Sequence, residues 1–234
     1  MDGAEKTEAL PSTFSQLYHS TIGKKQLVAT TGLLLCGFLI VHLIGNFLII
    51  FNPVGFNLYA HQLTSTPLIY LAEAVLTLIF IIHFTIAIKL TLLNKAARGV
   101  SYYKKTKTGK GTDLFSASMP ITGILLLIFL ISHLIHFKYG SYYTTEVEGK
   151  IIRDLYKTVI EYFASPWATF WYLASMVTLW FHLYHGIQSS FQTFGLNHPR
   201  WTPLLSKLGK GLGSIIPLGF LFISIWCYFL TINQ

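Results

Sequence analysis

Residues 179–188 read LWFHLYHGIQ, and residues 132–136 read SHLIH. Each stretch sets two histidines three positions apart in a run otherwise suited to lipid. An ionisable ring in a hydrocarbon layer is costly, so it faces the bundle interior and serves a purpose there. Whether these runs are membrane helices or soluble core therefore decides the fold.

The composition answers for the membrane. Of 234 residues, 53% are hydrophobic and only 11% are charged, against about 25% charged in ordinary soluble domains. A spanning helix takes about 20 mostly apolar residues. Five runs qualify: 27–50, 68–92, 119–137, 167–191 and 212–232. The expected fold is an all-α integral membrane protein, with one five-helix transmembrane domain over 27–232 and a polar cytoplasmic segment, 1–26, ahead of it. The opening MDGAEKTEAL has no short apolar stretch before a cleavage site, so no signal peptide is expected. Cys36 and Cys227 lie within apolar runs and read as small core residues rather than a disulfide.

Thirteen Lys and Arg fall in the N-terminal segment and in the connections after the second and fourth runs. Four fall after the third run and none after the first. The positive-inside rule then puts the N-terminus in the cytoplasm and the C-terminus outside. The net charge of +8 speaks to orientation, and no nucleic-acid reading module accompanies it. YYKKTKTGKG at 102–111 reads as a solvated cytoplasmic loop. In KIIRDLYKTVIEYF, 150–163, Ile151, Leu155, Val159 and Phe163 recur every four residues, so an amphipathic helix on the outer face is expected.

Of nine histidines, His19, His61 and His198 lie in or near connections. The other six are in the runs: His42, His83, His133, His136, His182 and His185. A lone intramembrane histidine is ordinarily an interhelical hydrogen bond. Six on four helices ask for more, because the cost of burial recurs each time. At about 1.5 Å rise per residue, His42 sits roughly 6 Å outward of mid-membrane and His133 roughly 7 Å outward. His83 and His182 both sit roughly 4–5 Å inward. His136 lies further out and His185 further in, with no histidine opposite at either depth. Two imidazoles facing each other at one level, at two levels, is what two bis-histidine haems require. His136 and His185 are then candidates for propionates, water, quinone or a nearby backbone group.

These residues carry a resemblance. IGKKQLVATTGLLLCGFLIVHLIGN (22–46), FNLYAHQLTSTPLIYLAEAVL (56–76), ITGILLLIFLISH (121–133) and FHLYHGIQSSFQTFG (181–195) together resemble the cytochrome b subunit of succinate dehydrogenases and fumarate reductases, of the single-subunit, five-helix, dihaem type. The likeness runs from about residue 20 to the last helix, and it rests on the order and spacing of the stretches rather than on any one motif. It implies that His42 and His133 ligate an outer haem b, that His83 and His182 ligate an inner one, and that helix I pairs with III and II with IV.

The resemblance further implies a multi-pass anchor in a bacterial cytoplasmic (inner) membrane. A flavoprotein subunit and an iron–sulfur subunit would dock on its cytoplasmic side, and heterotrimers could pair into higher-order dimers. Succinate or fumarate chemistry would lie on the flavoprotein, so this chain would hold no catalytic residue for it. Its share of the reaction would be electron transfer between the iron–sulfur subunit and a quinone, menaquinone being expected. Some members carry a glutamate on helix IV two residues before the ligand. Here that position is Trp180, which speaks against a proton path of that kind. Glu73, near the outer end of the second run, is the remaining intramembrane carboxylate for quinone or proton chemistry; snorkelling to the interface is the alternative.

Other classes fit the same residues less well. A histidine-box metalloenzyme such as a desaturase wants more histidines at one depth, and no HxxHH occurs. A metal transporter wants carboxylates or thiols along its path. An anchor for a quinone-linked hydrogenase or formate dehydrogenase would share the haems and differ in its soluble partner.

Overall fold

The computed structural model describes residues 20–97, 114–196 and 198–233, without the side chains of 114–117. The elements are α1 (Thr21–Phe51), α2 (Pro53–Thr64), α3 (Leu68–Ala97), α4 (Leu114–His133) followed by a π-helical turn (Leu134–Lys138), β1 (Thr144–Val147), β2 (Lys150–Arg153), α5 (Leu155–Phe163), α6 (Pro166–Thr193) and α7 (Thr202–Ile232). The basic stretch 102–111, Lys6, Arg98 and His19 lie outside the described residues.

Side-chain caps and prolines set several of these boundaries. Ser20 Oγ accepts the N–H of Gly23 and starts α1 six residues before the expected position 27. Asn52 both ends and restarts the chain: its N–H bonds the Leu48 carbonyl, and its side chain accepts the Gly55 N–H with Pro53 in the first turn of α2. Ser165 followed by Pro166 starts α6 in the same way. Pro suits the first turn because its missing N–H has no partner there anyway.

Among the described residues, four segments are long and apolar enough to cross a membrane: α1, α3, Ser118–Lys138 and α7. The chain is thus a largely helical protein with the character of a multi-pass membrane protein. The fourth expected run, 167–191, became α6, a 28-residue helix and so about 42 Å long. Its composition is more polar, with histidines, serines and threonines among its apolar residues. The structure gives the reason. α6 packs against α1, α4 and α7, and it buries Thr169, Tyr172, Ser175, Met176, Leu179, Leu183, Ile187 and Ser190. A helix enclosed by others can carry polar groups that a lipid-facing helix cannot.

α3 lies at the periphery: it packs mainly on α1 and buries only Ile86 and Leu90. The tightest seam joins α6 and α7. A Cβ on Gly213 would stand 2.8 Å from the backbone of Tyr184, and one on Gly209 would stand 3.1 Å from that of Gln188. Small residues four apart let two helix backbones approach, and within lipid such van der Waals contact drives association.

Cys36 is buried in a cluster with Met176, Leu179, Leu183, Ile187 and Ile216. Cys227 is buried in another, with Leu43, Ile49, Phe56, Val159, Phe163, Tyr172 and Ile223. Both are free, as expected.

The connection after the third run differs from expectation. Residues 150–153 are not helical: they pair antiparallel with Thr144–Val147, joined by Glu148 and Gly149, both at positive φ (52° and 73°). That backbone is the type I′ pattern favoured in tight hairpins. The helix starts only after Asp154, whose carboxylate accepts the Lys157 N–H. Its apolar face, Val159 and Phe163, packs into the end of the bundle. α2, unforeseen, is clamped to it: buried Asn57 donates to Asp154 Oδ1 (2.8 Å) and accepts the Tyr156 N–H (2.8 Å).

Candidate functional site

His42 comes from α1, His83 from α3, His133 from the last residue of α4 and His182 from α6. The fold brings them together in two pairs, and they are the pairs expected from depth. His42 and His133 have ring centroids 5.8 Å apart with planes at 82°. His83 and His182 have centroids 6.4 Å apart with planes at 70°. All four rings are partly enclosed.

The spacing has a chemical meaning. An imidazole nitrogen bonds a transition metal at about 2 Å, and the ring centre lies about 1 Å beyond, so two axial imidazoles on one iron have centroids about 6 Å apart. Both pairs match. Among the described residues, neither α1 with α4 nor α3 with α6 is a closely packed pair, although α1 packs on α3 and α4 on α6. Gly32 stands against the His83 ring, where a Cβ would come within 3.1 Å of Cε1, and a Cβ on Gly37 would meet no atom within 4 Å.

Hydrogen bonds orient the rings. His83 Nδ1 lies 3.2 Å from Thr31 Oγ1 and 3.2 Å from the Val28 carbonyl. His182 Nδ1 lies 3.1 Å from Thr122 Oγ1. His133 Nδ1 lies 3.0 Å from the Tyr172 hydroxyl. When a partner occupies Nδ1, Nε2 is the nitrogen left for a metal. His42 is held by rings instead, stacked on Phe38 (5.3 Å, 17°) and tilted against Phe220 (5.7 Å). Phe129 and Phe137 complete an aromatic surround at His133.

No protein-family model matches the chain, and neither does any curated protein or solved structure.

The remaining candidates lie apart from the pairs. His136 sits in the π turn, gives its Nδ1–H to the Ser132 carbonyl (2.6 Å) and packs on Tyr162 with centroids 4.6 Å apart. Of the roles open to it, the backbone group is the one its Nδ1 takes. His185 is partly buried on α6, one turn beyond His182. Glu73 forms an ion pair with Lys138 at 2.5 Å, both side chains more than a third exposed. Trp180 donates its indole N–H to Ser214 Oγ (3.0 Å), tying α6 to α7. Lys24, on the first turn of α1, is 5% exposed.

Among the described residues, no three His, Cys, Asp or Glu side chains converge as a metal cluster requires. The donors come in twos. Sequence reasoning missed Thr31, Thr122 and Tyr172. Threonines in apolar helices usually bond their own helix, as both of these also do, so composition gives no sign of the second contact.

Proposed function

We propose that this chain is a dihaem cytochrome b, the membrane-anchor subunit of a succinate:quinone oxidoreductase (a succinate dehydrogenase or fumarate reductase). The observation that carries the reading is the pair of facing imidazoles, twice, at the separation of two axial ligands on one iron. His42 and His133 would hold the outer b haem, and His83 and His182 the inner one. When bound, each supplies a one-electron carrier whose potential depends on ligands, burial and hydrogen bonds.

The chain's own residues do the rest. The four histidines fix two positions along the membrane normal. Thr31, Thr122 and Tyr172 orient three of the rings. Phe38, Phe129, Phe137 and Phe220 wall the outer pair and exclude water. In this reading α6 is a fifth span, the N-terminus is cytoplasmic and the C-terminus outside. Flavoprotein and iron–sulfur partners meet the inner face, and dicarboxylate chemistry belongs to them. A quinone, menaquinone in this proposal, exchanges electrons and protons in the membrane. Trp180, engaged with Ser214, leaves the helix without the carboxylate that some members of the resembled group carry at that place. The membrane is that of a bacterial cell, the cytoplasmic one.

The donor set weighs against a histidine-box metalloenzyme, which needs clusters rather than pairs. An anchor for a hydrogenase or formate dehydrogenase would use the same pairs and is separated by its co-purifying subunits. The test is a redox-difference spectrum of the protein purified from membranes, with His83→Ala and His133→Ala beside it. Two b-type signals are expected, one lost in each variant and the two losses different. A colourless protein after growth with ample haem overturns the reading.

A further inference from the structure

Two of the groups that touch the imidazoles can act in only one direction. Thr122 Oγ1 gives its single proton to a carbonyl of its own helix, Ser118 at 3.0 Å or Met119 at 3.1 Å. Toward His182 Nδ1, 3.1 Å away, it can then only accept. The proton of the imidazole therefore sits on Nδ1, and Nε2 keeps a bare lone pair. Thr31 repeats the device: its proton goes to the Leu27 carbonyl (2.6 Å), and it accepts from His83 Nδ1 at 3.2 Å. The Val28 carbonyl, also 3.2 Å from that Nδ1, can only accept.

The outer level lacks this constraint. Tyr172 is 3.0 Å from His133 Nδ1, and a phenol can donate as readily as accept. Among the described residues, no helix carbonyl takes the Tyr172 proton. His42 is held by ring contacts, which do not choose a tautomer. One level is fixed with both metal-binding nitrogens bare, and the other is free to hold its protons either way.

The geometry points to Thr31 and Thr122 as positioning residues that lock the inner histidine pair in its metal-binding tautomer, so that the inner level holds iron porphyrin more tightly than the outer. This inference rests on the dihaem reading. Among the described residues Thr122 is the one acceptor at His182, whereas Thr31 shares His83 with Val28, so Thr122 matters more. Loss of such an outer partner typically costs 10–100-fold in metal affinity. It also makes the ligand less electron-rich, which favours ferrous iron and raises the midpoint potential.

The experiment compares the wild-type full chain with Thr122→Val, Thr31→Val and Thr122→Ser. Haem transfer to apomyoglobin and spectrally resolved redox titration are the readouts, and the inner signal is the one that His83→Ala abolishes. Thr122→Val is expected to weaken haem retention at the inner signal by about 10–100-fold and raise its potential. Thr31→Val does so by less, Thr122→Ser restores both, and the outer signal stays unchanged. If Thr122→Val leaves inner affinity and potential as in wild type, the positioning role is wrong while the dihaem reading stands. If both signals move together, the effect is general misfolding and the assignment is overturned. If wild type binds no haem, both proposals fall.

Discussion

The rings of His42 and His133 meet across the bundle with centroids 5.8 Å apart, although their helices are not close-packed neighbours. Two side chains that act as one unit give non-additive losses when removed. His42→Ala and His133→Ala are each expected to abolish the same spectral signal, and the double variant to lose no more than either alone. His83→Ala and His182→Ala behave likewise toward the other signal. Haem content per polypeptide, read by pyridine haemochrome, checks this: one of two equivalents remains within a pair. A cross-pair double variant such as His42→Ala with His83→Ala should retain none.

The ring planes carry a second expectation. They cross at 82° for His42 with His133, the proposed outer pair, and at 70° for His83 with His182, the proposed inner pair. Near-perpendicular axial imidazoles leave the iron d orbitals close in energy, which gives a low-spin ferric signal of large anisotropy. Electron paramagnetic resonance of the oxidised protein should show two such signals, the outer the more anisotropic. A spectrum typical of parallel imidazoles at both sites would contradict the geometry.

Much of this site was legible because depth comes from counting. Histidines on runs that cross in the same direction, first with third and second with fourth, pair by arithmetic once the run centres are known, so the pairing depends on how well the ends of each run are placed. The orienting hydroxyls were not legible, since they depend on which face of a neighbouring helix turns inward, and an apolar helix in lipid has little periodicity to reveal it. The connection between α4 and α6 misled for a different reason. Apolar residues four apart in 151–163 fit a helix throughout, yet Glu148 and Gly149 make a tight hairpin turn and Asp154 caps only the helix from Leu155 onward. Asn52 and Pro53, a capping side chain before a first-turn proline, are the sequence sign of α2, a short one that the longer apolar runs on either side outweigh.

The α6–α7 seam should tolerate no side chain at Gly213. A Cβ there would stand 2.8 Å from the Cα and N of Tyr184, and backbone cannot yield as a flexible side chain does. Gly213→Val is expected to cost about 1–3 kcal/mol, the range for overpacking, and to lower the thermal midpoint in detergent. Gly211→Val, where a Cβ meets nothing within 4 Å, is the control and should unfold near the wild-type temperature.

Asn57 clamps α2 to the start of α5 through both ends of its amide. Asn57→Leu leaves the Tyr156 N–H without that acceptor and Asp154 without that donor. An unsatisfied buried group costs about 1–3 kcal/mol. Hydrogen exchange should accelerate in α5 and at the hairpin, while the amides at the middle of α6 keep their protection. Equal acceleration in both places would mean that the clamp supports the whole bundle.

Glu73 and Lys138 separate a structural role from a functional one. Their ion pair joins α3 to the turn after α4 at a surface where both side chains are more than a third exposed, and such pairs contribute about 0–1 kcal/mol. Glu73→Gln should therefore change the melting temperature little. If the carboxylate only anchors the helix end, quinone-linked turnover in the assembled complex stays at the wild-type level and Lys138→Met behaves the same way. If Glu73 delivers protons to a quinone at the outer surface, Glu73→Gln slows turnover severalfold at unchanged stability and haem content. Lys138→Met, which keeps the carboxylate, is far milder in that case. The ratio of the two turnover numbers reads the difference directly, and we expect Glu73→Gln to be the slower variant.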